Sequence, residues 1–477
     1  MAPVITTLIN RIIVEGKIPA EFKTALTTPV HKKGDVDDPE NYRPISVLPI
    51  MGKIMEKILV KQLFNYLLSN NFLSIQQHGF KPNHSTITCL MELTEDIRQQ
   101  LDKGNATGIV ALDLSKAFDS IHHDKLLNKL DSIGIHLNAY RLIKNYLEGR
   151  KQITKHGNLR SNSANITHGV PQGSILGPLL FIIYIDDIFK VATRCKVLSY
   201  ADDTTLYYSN QHPSNLQVAL NEDIKLITAW FNNNGLKVNS AKSQFMVINT
   251  PSIDSRFENI HIKVGKKVIP QMSDISILGV TLDKHLKWNK HVDGLIRRCK
   301  FQLRAFHRSV KYIDMDEKRL LYNSCLASRL AYADVIWSDC ALSSRNRIQV
   351  IQNIAARAIM GCNKYTTAAP IIKNLNWITL EKKRKLHELV LFHKIIMNKG
   401  TQAQTNRLQV YRRQSKFNTR GMGTSNLFTP AFRTNYMKES FFVRNIREWN
   451  RLPSEMKAPV GTETFKARLF KHLYTKD

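Results

Sequence analysis

Two adjacent aspartates, Asp202 and Asp203, interrupt an apolar and aromatic run, SYADDTTLYY, that otherwise has the pattern of a β-strand. Adjacent carboxylates repel each other, and a charge beside a hydrophobic core is costly to desolvate. A third carboxylate, Asp113, ends a short apolar run at 109–112. Three carboxylates gathered from neighbouring strands would repel unless divalent cations lay between them, so the pattern indicates a metal site. The alternative is a surface turn with two solvated aspartates.

The chemistry of these ligands narrows the choice of metal. Oxygen-only ligands suit Mg²⁺ or Mn²⁺ and not zinc. Two such ions roughly 3.5–4 Å apart can activate an attacking oxygen and stabilise a leaving oxygen in phosphoryl transfer. A tight turn between short strands would present Asp202 and Asp203 rigidly. We therefore expect two Mg²⁺ ions as the cofactor, with Mn²⁺ as a substitute.

The charge of the chain favours a polyanionic partner. The 477 residues include 69 Lys and Arg against 39 Asp and Glu, a formal net charge of +30 that is spread along the sequence. Nucleic acid is expected before membrane, and a merely soluble basic protein is the alternative. Six scattered cysteines without zinc spacing suit a reducing compartment. With no signal-peptide pattern and no apolar run long enough to span a bilayer, we expect a soluble intracellular protein in the nucleus, the cytoplasm or both.

The elements that must position the carboxylates form a mixed pattern. Helical periodicity predicts helices over about 51–68, 86–103, 124–133, 137–147 and 215–232, and strands are expected at 109–112, in the 199–208 hairpin and at 275–283. GVPQGSILGP, at 169–178, is a turn-rich transition before an apolar helix. Beyond about 286 only helices are predicted, over 292–310, 316–330 and 345–360, the last one closed by Gly361. The fold class is therefore α+β.

Several motifs together resemble one family. ALDLSKAFDSIHH, GVPQGSILGP, YADD, GLKVNSAKSQ and ILGVTLD occur in the order of reverse transcriptase motifs A to E. Upstream, NYRPISVLPIMGKIMEKIL and QHGFKPNHST resemble the finger motifs of non-LTR (LINE-type, jockey-like) retrotransposon reverse transcriptases. Downstream, IQNIAARAIMG and SFFVRNIREWNRLP resemble the C-terminal region of the same elements. The resemblance runs nearly from end to end.

The resemblance implies a catalytic set of four residues. Asp113 matches the motif A metal ligand, and Asp202 and Asp203 match the motif C pair, with Asp202 the more certain direct ligand. Lys242 matches the motif D lysine that assists the departure of pyrophosphate. Asp119 belongs to the AFD string of the family but is not a metal ligand there, so it is expected to be structural.

Further residues match positions that bind the nucleotide. Phe118 resembles the aromatic residue under the sugar, where its ring would exclude a ribose 2′-hydroxyl; a packed core ring is the alternative. Lys32 and Arg43 match the finger residues that hold the triphosphate, or else they lie on a solvated loop. Gln172 and Gly173 match the motif B segment that packs on the templating base pair, where glycine permits a close backbone approach.

Two smaller expectations concern the flanks of the site. Leu278 and Gly279 resemble the primer-grip turn. The pair His122–His123 lacks the partners of a zinc site and is expected to be structural.

The resemblance implies a right-hand polymerase with an antiparallel palm sheet backed by helices. Its expected parts are fingers at 1–106, a palm at 107–283 with motifs A to E, a helical thumb at 284–365 and a basic helical C-terminal region at 366–477; the reverse transcriptase domain would cover about 13–283. Full elements of this type carry an endonuclease domain ahead of the polymerase. Because the chain opens almost inside the polymerase, we expect a truncated copy or an incomplete gene model.

The predicted function is RNA-directed DNA polymerisation for a non-LTR retrotransposon, by two-metal phosphoryl transfer. Its partners would be an RNA template, a DNA primer and deoxynucleoside triphosphates, with the basic C-terminal region along the nucleic-acid backbone; the oligomeric state stays open. One alternative is a catalytically silent nucleic-acid-binding remnant of such an element. Another is an RNA-dependent RNA polymerase, against which Phe118 argues.

Overall fold

The computed structural model describes residues 2–413 and 426–475, so 414–425 of the predicted basic C-terminal region lie outside the described residues. The strands are β1 (Thr24–His31), β2 (Tyr42–Val47), β3 (Ala106–Leu112), β4 (Leu114–Ser115), β5 (Arg150–His156), β6 (Leu159–Arg160), β7 (Ala164–Ile166), β8 (Lys196–Tyr200), β9 (Asp203–Asn210), β10 (Lys237–Val238), β11 (Gln244–Ile248), β12 (Ile262–Val264), β13 (Lys267–Ile269), β14 (Asp274–Ile277) and β15 (Val280–Asp283). The helices are α1 (Ala2–Glu15), α2 (Ala20–Lys23), α3 (Ile50–Ser69), α4 (Thr86–Asp102), α5 (His123–Ser132), α6 (Leu137–Leu147), α7 (Gly177–Ile185), α8 (Pro213–Asn233), α9 (Asn289–Ser309), α10 (Met315–Tyr322), α11 (Ser328–Leu330), α12 (Leu342–Met360), α13 (Ala368–Asn374), α14 (Leu380–Ile396), α15 (Gln402–Arg413), α16 (Asn435–Lys438), α17 (Phe441–Asn450) and α18 (Thr462–Thr475).

The central sheet is antiparallel and has the strand order β11-β3-β9-β8. Strand β3 is buried along almost all of its length, because protein covers both of its faces. Successive side chains point to opposite faces, so Ile109 joins one hydrophobic core and Val110 the other. The core containing Val110 is built with α1, α3 and α5–α8, and the core containing Ile109 is built with α4 and most of α9–α18. This arrangement confirms the predicted α+β class, an antiparallel sheet backed by helices, as in the right-hand polymerase fold.

A second sheet lies upstream in the chain and has the order β2-β1-β5-β6, with β7 also paired to β5. Strands β1 and β2 form an antiparallel hairpin in which Val30 is opposite Arg43, and the Lys32 N–H donates to the Asn41 carbonyl at 2.9 Å. Strand β5 pairs with β1 in parallel. The hairpin places Lys32 and Arg43 near its tip.

The described chain beyond Asp283 contains helices and no strands, as predicted. The predicted helix 316–330 is confirmed as a continuous helical segment, in which a π turn at Asn323–Ala327 separates α10 from α11. The apolar pattern does not reveal such a change, because it reports burial and not the hydrogen-bond register. The division into fingers, palm, thumb and C-terminal region at the predicted boundaries stays a prediction.

The C-terminal helices pack back onto α4, which supports one face of the central sheet. Arg407 of α15 pairs with Asp96 of α4, and the Arg98 guanidinium of α4 donates to the carbonyl of Tyr436 in α16 at 3.1 Å. The C-terminal helices therefore belong to the same hydrophobic core as one face of the central sheet and do not form a separate domain. Within 2–413 and 426–475, no helix combines the length and the apolar composition needed to cross a bilayer.

Candidate active site

Asp113 stands directly after β3, beside the start of β9. Leu112 is opposite Thr204, so Asp113 is level with Asp203 on the neighbouring strand. The backbone of Asp113 is held from both directions: its carbonyl accepts from the Asn239 N–H at 2.7 Å, and its N–H donates to the Ser243 hydroxyl at 3.5 Å. The strand end is therefore anchored at the position where its carboxylate enters the site.

Asp202 and Asp203 lie at a two-residue hairpin turn between β8 and β9. Tyr200 is paired with Asp203, which leaves Ala201 and Asp202 as the turn. Ala201 has a φ of +57°, a left-handed conformation that residues with a Cβ rarely adopt. The predicted SYADD hairpin is therefore present, and its tight geometry needs support from the surrounding protein.

The structure brings the three predicted carboxylates together. Burial, with a contribution from the charge of Asp113, raises the pKa of Asp202. Desolvation by the surrounding protein raises the pKa of Asp203 to about 6, and repulsion from Asp202 and Asp113 adds to this increase. The residue nevertheless remains exposed to solvent. Three like charges thus lie close together at the ends of neighbouring strands, and a cation bound there would reduce their repulsion.

These residues fit a divalent cation in donor chemistry but do not form a finished ligand shell. All three donors are carboxylate oxygens, which suit Mg²⁺ and Mn²⁺. In the part of the chain that the structure describes, no group of three or more His, Cys, Asp or Glu side chains is arranged to hold a metal ion. The carboxylates are therefore neighbours whose oxygens do not converge, and the two-ion site stays a prediction.

Lys32 and Arg43 reach the same place from the β1–β2 hairpin. Both side chains are exposed, and both lower the pKa of Asp202 against the dominant effect of burial; Lys32 also acts on Asp203. Two cations of the upstream sheet therefore face the carboxylates of the central sheet across a solvent-accessible gap.

Phe118 is half-buried near the same strand end. Its ring stacks on Phe181, with centroids 4.4 Å apart, and meets Phe80 edge-on at 6.2 Å. Its carbonyl accepts from the Val170 N–H at 3.0 Å, which ties it to the segment of Gln172 and Gly173. The ring is thus packed on one side and accessible on the other, which suits a core contact and a sugar contact equally.

Gln172 and Gly173 join the central region to β2. The Gln172 carbonyl accepts from the Ser46 N–H at 2.7 Å, and the Gln172 amide donates to both oxygens of Asp119 at 3.0 and 2.9 Å. Gly173 has a φ of +126°, and a Cβ there would lie 2.3 Å from the Ser46 carbonyl oxygen. Asp119 thus orients Gln172, a role that sequence reasoning missed because the two residues are distant in the chain.

The remaining predicted residues lie on turns beside the sheet. Lys242 is exposed on the turn whose Asn239 anchors Asp113. Leu278 and Gly279 form the β14–β15 turn, both with positive φ, and the Leu278 carbonyl accepts from the Tyr332 hydroxyl at 2.7 Å. Sequence reasoning did not single out Tyr332.

His122 and His123 contact the segment at 168–169, and their expected structural role stays a prediction. A ring nitrogen of His123 lies 2.8 Å from the Gly169 carbonyl oxygen. His122 packs edge-on against His168, with ring centroids 4.9 Å apart.

Comparison with known proteins shows that more than half of the chain matches the model of one family. Residues 30–282 match the family described as reverse transcriptase (RNA-dependent DNA polymerase). The probable RNA-directed DNA polymerase from transposon BS of Drosophila melanogaster is 32% identical over 389 residues, which cover 79% of this chain and 43% of that protein. The RNA-directed DNA polymerase from mobile element jockey of Drosophila funebris is 26% identical over 373 residues, which cover 75% of this chain and 40% of that protein. The chain thus spans less than half the length of these relatives.

Among solved structures, apo telomerase from Candida tropicalis aligns with 81% of this chain and 63% of its own, at 12% identity and a TM-score of 0.43.

Proposed function

Because the chain belongs to the reverse transcriptase (RNA-dependent DNA polymerase) family, we propose that it is the RNA-directed DNA polymerase of a jockey-like non-LTR retrotransposon. It would extend the 3′-hydroxyl of a DNA primer with deoxynucleotides on an RNA template. The observation that carries the proposal is the meeting of Asp113, Asp202 and Asp203 at adjacent strand ends, where each of the last two has a raised pKa. Groups with such perturbed pKa values concentrate at functional sites.

The metal ligands would be these three carboxylates. Two divalent ions bound there would lower the barrier to attack on the α-phosphorus and stabilise the charge of the departing pyrophosphate. Lys32 and Arg43, which already face the carboxylates, would hold the triphosphate by charge-assisted hydrogen bonds. Lys242 would donate a proton to the leaving pyrophosphate from its exposed turn.

The residues around this centre would orient sugar, base and primer. The accessible side of the Phe118 ring would lie under the sugar and exclude a 2′-hydroxyl. Gln172 and Gly173 would pack on the templating pair, and Leu278 and Gly279 would support the primer end. Positions fixed to within a fraction of an ångström are what phosphoryl transfer by proximity requires.

The larger parts of the chain would share the nucleic-acid contacts. We assign fingers to 1–106, palm to 107–283, thumb to 284–365 and a basic nucleic-acid-binding region to 366–477. The net charge of +30 supports contacts to phosphates at many points along the template and primer.

The test is primer extension on an RNA template in Mg²⁺, comparing the wild type with Asp202→Asn. Asn keeps the size of the side chain and removes its charge, so incorporation should disappear while RNA binding persists. Asp316→Asn is a matched control, because that carboxylate is 92% exposed on α10. Equal incorporation by wild type and Asp202→Asn would overturn the assignment, and salt-dependent RNA binding without incorporation by the wild type would support the silent remnant instead.

A further inference from the structure

The edge of the central sheet is closed by a segment of the chain far from β8 in sequence. The segment Gln76-Gln77-His78-Gly79 runs beside Ser199: the Ser199 N–H donates to the Gln76 carbonyl at 3.1 Å, and the His78 N–H donates to the Ser199 carbonyl at 2.8 Å. Gln77 and Ser199 thus form a parallel bridge next to the carboxylate turn. The end of β8 is held by this segment on one side and by β9 on the other.

The side chain of Gln77 reaches past the bridge to the turn itself. It is completely buried, and its carbonyl oxygen accepts from the Ala201 N–H at 3.0 Å and from the Gly79 N–H at 2.7 Å. Ala201 is the residue with the left-handed backbone, immediately before Asp202. A strained conformation of this kind persists only where neighbouring groups over-determine it, and the Gln77 carbonyl is such a group.

Gly79 completes the fit against the turn. A Cβ on Gly79 would lie 2.2 Å from the Ala201 nitrogen and 2.9 Å from its Cα. Those atoms are backbone and cannot rotate away as a flexible side chain could, so any larger residue would push the turn out of place. The absence of a side chain at Gly79 lets the segment approach Ala201 closely enough for the Gln77 hydrogen bond.

Two side chains of α4 hold the segment in place through His78. The ring of His78 is completely buried, with one nitrogen 2.9 Å from the Thr88 hydroxyl and the other 3.1 Å from the Glu92 carboxylate. The Lys81 ammonium donates to the Ser74 carbonyl at 2.6 Å, which closes the loop across its base. The Gln77 carbonyl is therefore presented from a rigid support and not from a mobile loop.

We propose that Gln77 is a positioning residue that, through the Ala201 N–H, sets the orientation of Asp202 and Asp203 for the proposed polymerase reaction. The inference rests on the proposed function for its effect on turnover. Gln77 itself touches neither substrate nor the carboxylates; it acts by fixing the turn. Loss of the acceptor would leave the fold in place but let the two carboxylates shift relative to Asp113.

The test compares Gln77→Met with Gln76→Met, a matched control. Met has nearly the shape of Gln without the acceptor, and the Gln76 side chain contacts the Ser74 hydroxyl, not the turn. For Gln77→Met, kcat of primer extension should fall by about 10- to 100-fold with KM for primer–template unchanged, because small displacements of reacting groups have effects of this size. Hydrogen exchange of the Ala201 amide should become about tenfold faster, the effect of losing one hydrogen bond. Gln76→Met should change neither quantity.

The outcomes separate this inference from the proposed function. If the wild type does not incorporate nucleotides, the proposed function fails, and Ala201 exchange alone decides whether Gln77 holds the turn. If Gln77→Met matches Gln76→Met in both kcat and exchange, the positioning role is wrong.

A second variant covers a loss of folding. Should Gln77→Met lower the Tm enough to prevent the assay, Gly79→Ala is measured against Gly461→Ala, where an added Cβ would lie 3.9 Å from its nearest neighbour, the Thr464 hydroxyl oxygen. A loss of kcat together with faster exchange of the Ala201 amide in Gly79→Ala alone supports the role of the Gln77 segment in positioning the turn, and equal kcat in the two variants overturns it.

Discussion

The carboxylates of the candidate active site lie beside one another, with the exposed cations of the β1–β2 hairpin opposite them, whereas Asp96, a buried carboxylate of α4, is in direct contact with cations. Burial and mutual repulsion raise the pKa of Asp203 to about 6. Although burial acts against it, the charges of Arg407 and Lys196 hold the pKa of Asp96 below its ordinary value. Asp203 and Asp96 both lie beside the central sheet. Their different surroundings indicate that Asp96 is neutralised within the protein, whereas Asp203 is available to a bound cation.

The same contrast predicts different effects of substitution on the stability and on the activity of the protein. Removing one carboxylate of a buried ion pair destabilises the protein, because the partner cation stays buried without an opposite charge beside it. A carboxylate held among like charges is unfavourable in the folded protein, and its removal relieves repulsion. We therefore expect substitutions in the two regions to have opposite consequences for folding and for activity.

The largest effect is expected for Asp96→Asn. This residue accepts from Lys196 at 2.7 Å and from the Tyr207 hydroxyl at 2.8 Å, and it also pairs with Arg407. Its neutralisation breaks the ion pair with Arg407, beside which the charge of Glu95 remains, so the free energy of unfolding should fall by about 3–5 kcal/mol, the range for removing one partner of a buried pair. Urea unfolding measures this change. Glu15→Gln, at the exposed Arg11–Glu15 pair, is the control and should leave the midpoint unchanged; an unchanged midpoint for Asp96→Asn would show that the network is not structural.

The next effect is expected for Asp113→Asn, in the opposite region. Incorporation should fall by roughly 10²- to 10³-fold, the size seen when one electrostatic group of an active site is removed. The free energy of unfolding should stay equal or rise, because the substitution removes a charge that raises the pKa of Asp202 and Asp203. Primer extension and urea unfolding of the same preparation test both parts. A clear loss of stability would place Asp113 with the paired structural carboxylates.

A smaller effect is expected for Phe118→Val, which concerns choice of sugar. The substitution opens space on the accessible side of the ring, so the preference for deoxynucleotides over ribonucleotides should relax by about 10- to 200-fold, the range for one small change in a pocket. The ratio of kcat/KM for the two nucleotides is the measurement. Phe301→Val, at a ring that is 76% exposed on α9, should leave that ratio unchanged. An unchanged ratio for Phe118→Val would leave only the core contact with Phe181.

Local patterns of the sequence predict much of the region around the carboxylates. The strand before Asp113, the SYADD hairpin and the helix at Leu137–Leu147 follow from hydrophobic periodicity within short windows. The end of α12 also follows locally, because Gly361 adopts the left-handed conformation that closes a helix. Such signals depend only on neighbours in the chain.

The supports of these elements could not be predicted in the same way. Asp119 with Gln172, Gln77 with Ala201 and Arg407 with Asp96 are pairs separated by long stretches of sequence. A buried Gln or Asp has no periodic signature of its own, since its partner is decided by the packing of whole elements. The residues that hold the site in place are therefore visible only in three dimensions.

The smallest effect concerns Asp186, whose carboxylate accepts from the Ser74 N–H at 2.8 Å. Burial raises the pKa of Asp186 to about 6. The folded protein therefore binds more protons than the unfolded chain between about pH 4 and 6, and the free energy of unfolding should fall by roughly 1–3 kcal/mol as the pH rises through that window. Asp186→Asn should reduce this slope in urea titrations without metal, because Asn keeps an acceptor for Ser74 but does not titrate; the part that remains would come from Asp203, whose pKa is also about 6. The lowered pKa of Asp96 acts with the opposite sign, since its contribution is lost only as the pH falls below the ordinary Asp value of 3.8. If the Asp186→Asn slope equals that of the wild type, Asp186 belongs with the compensated charges, and the contrast between the two regions is restricted to Asp113, Asp202 and Asp203.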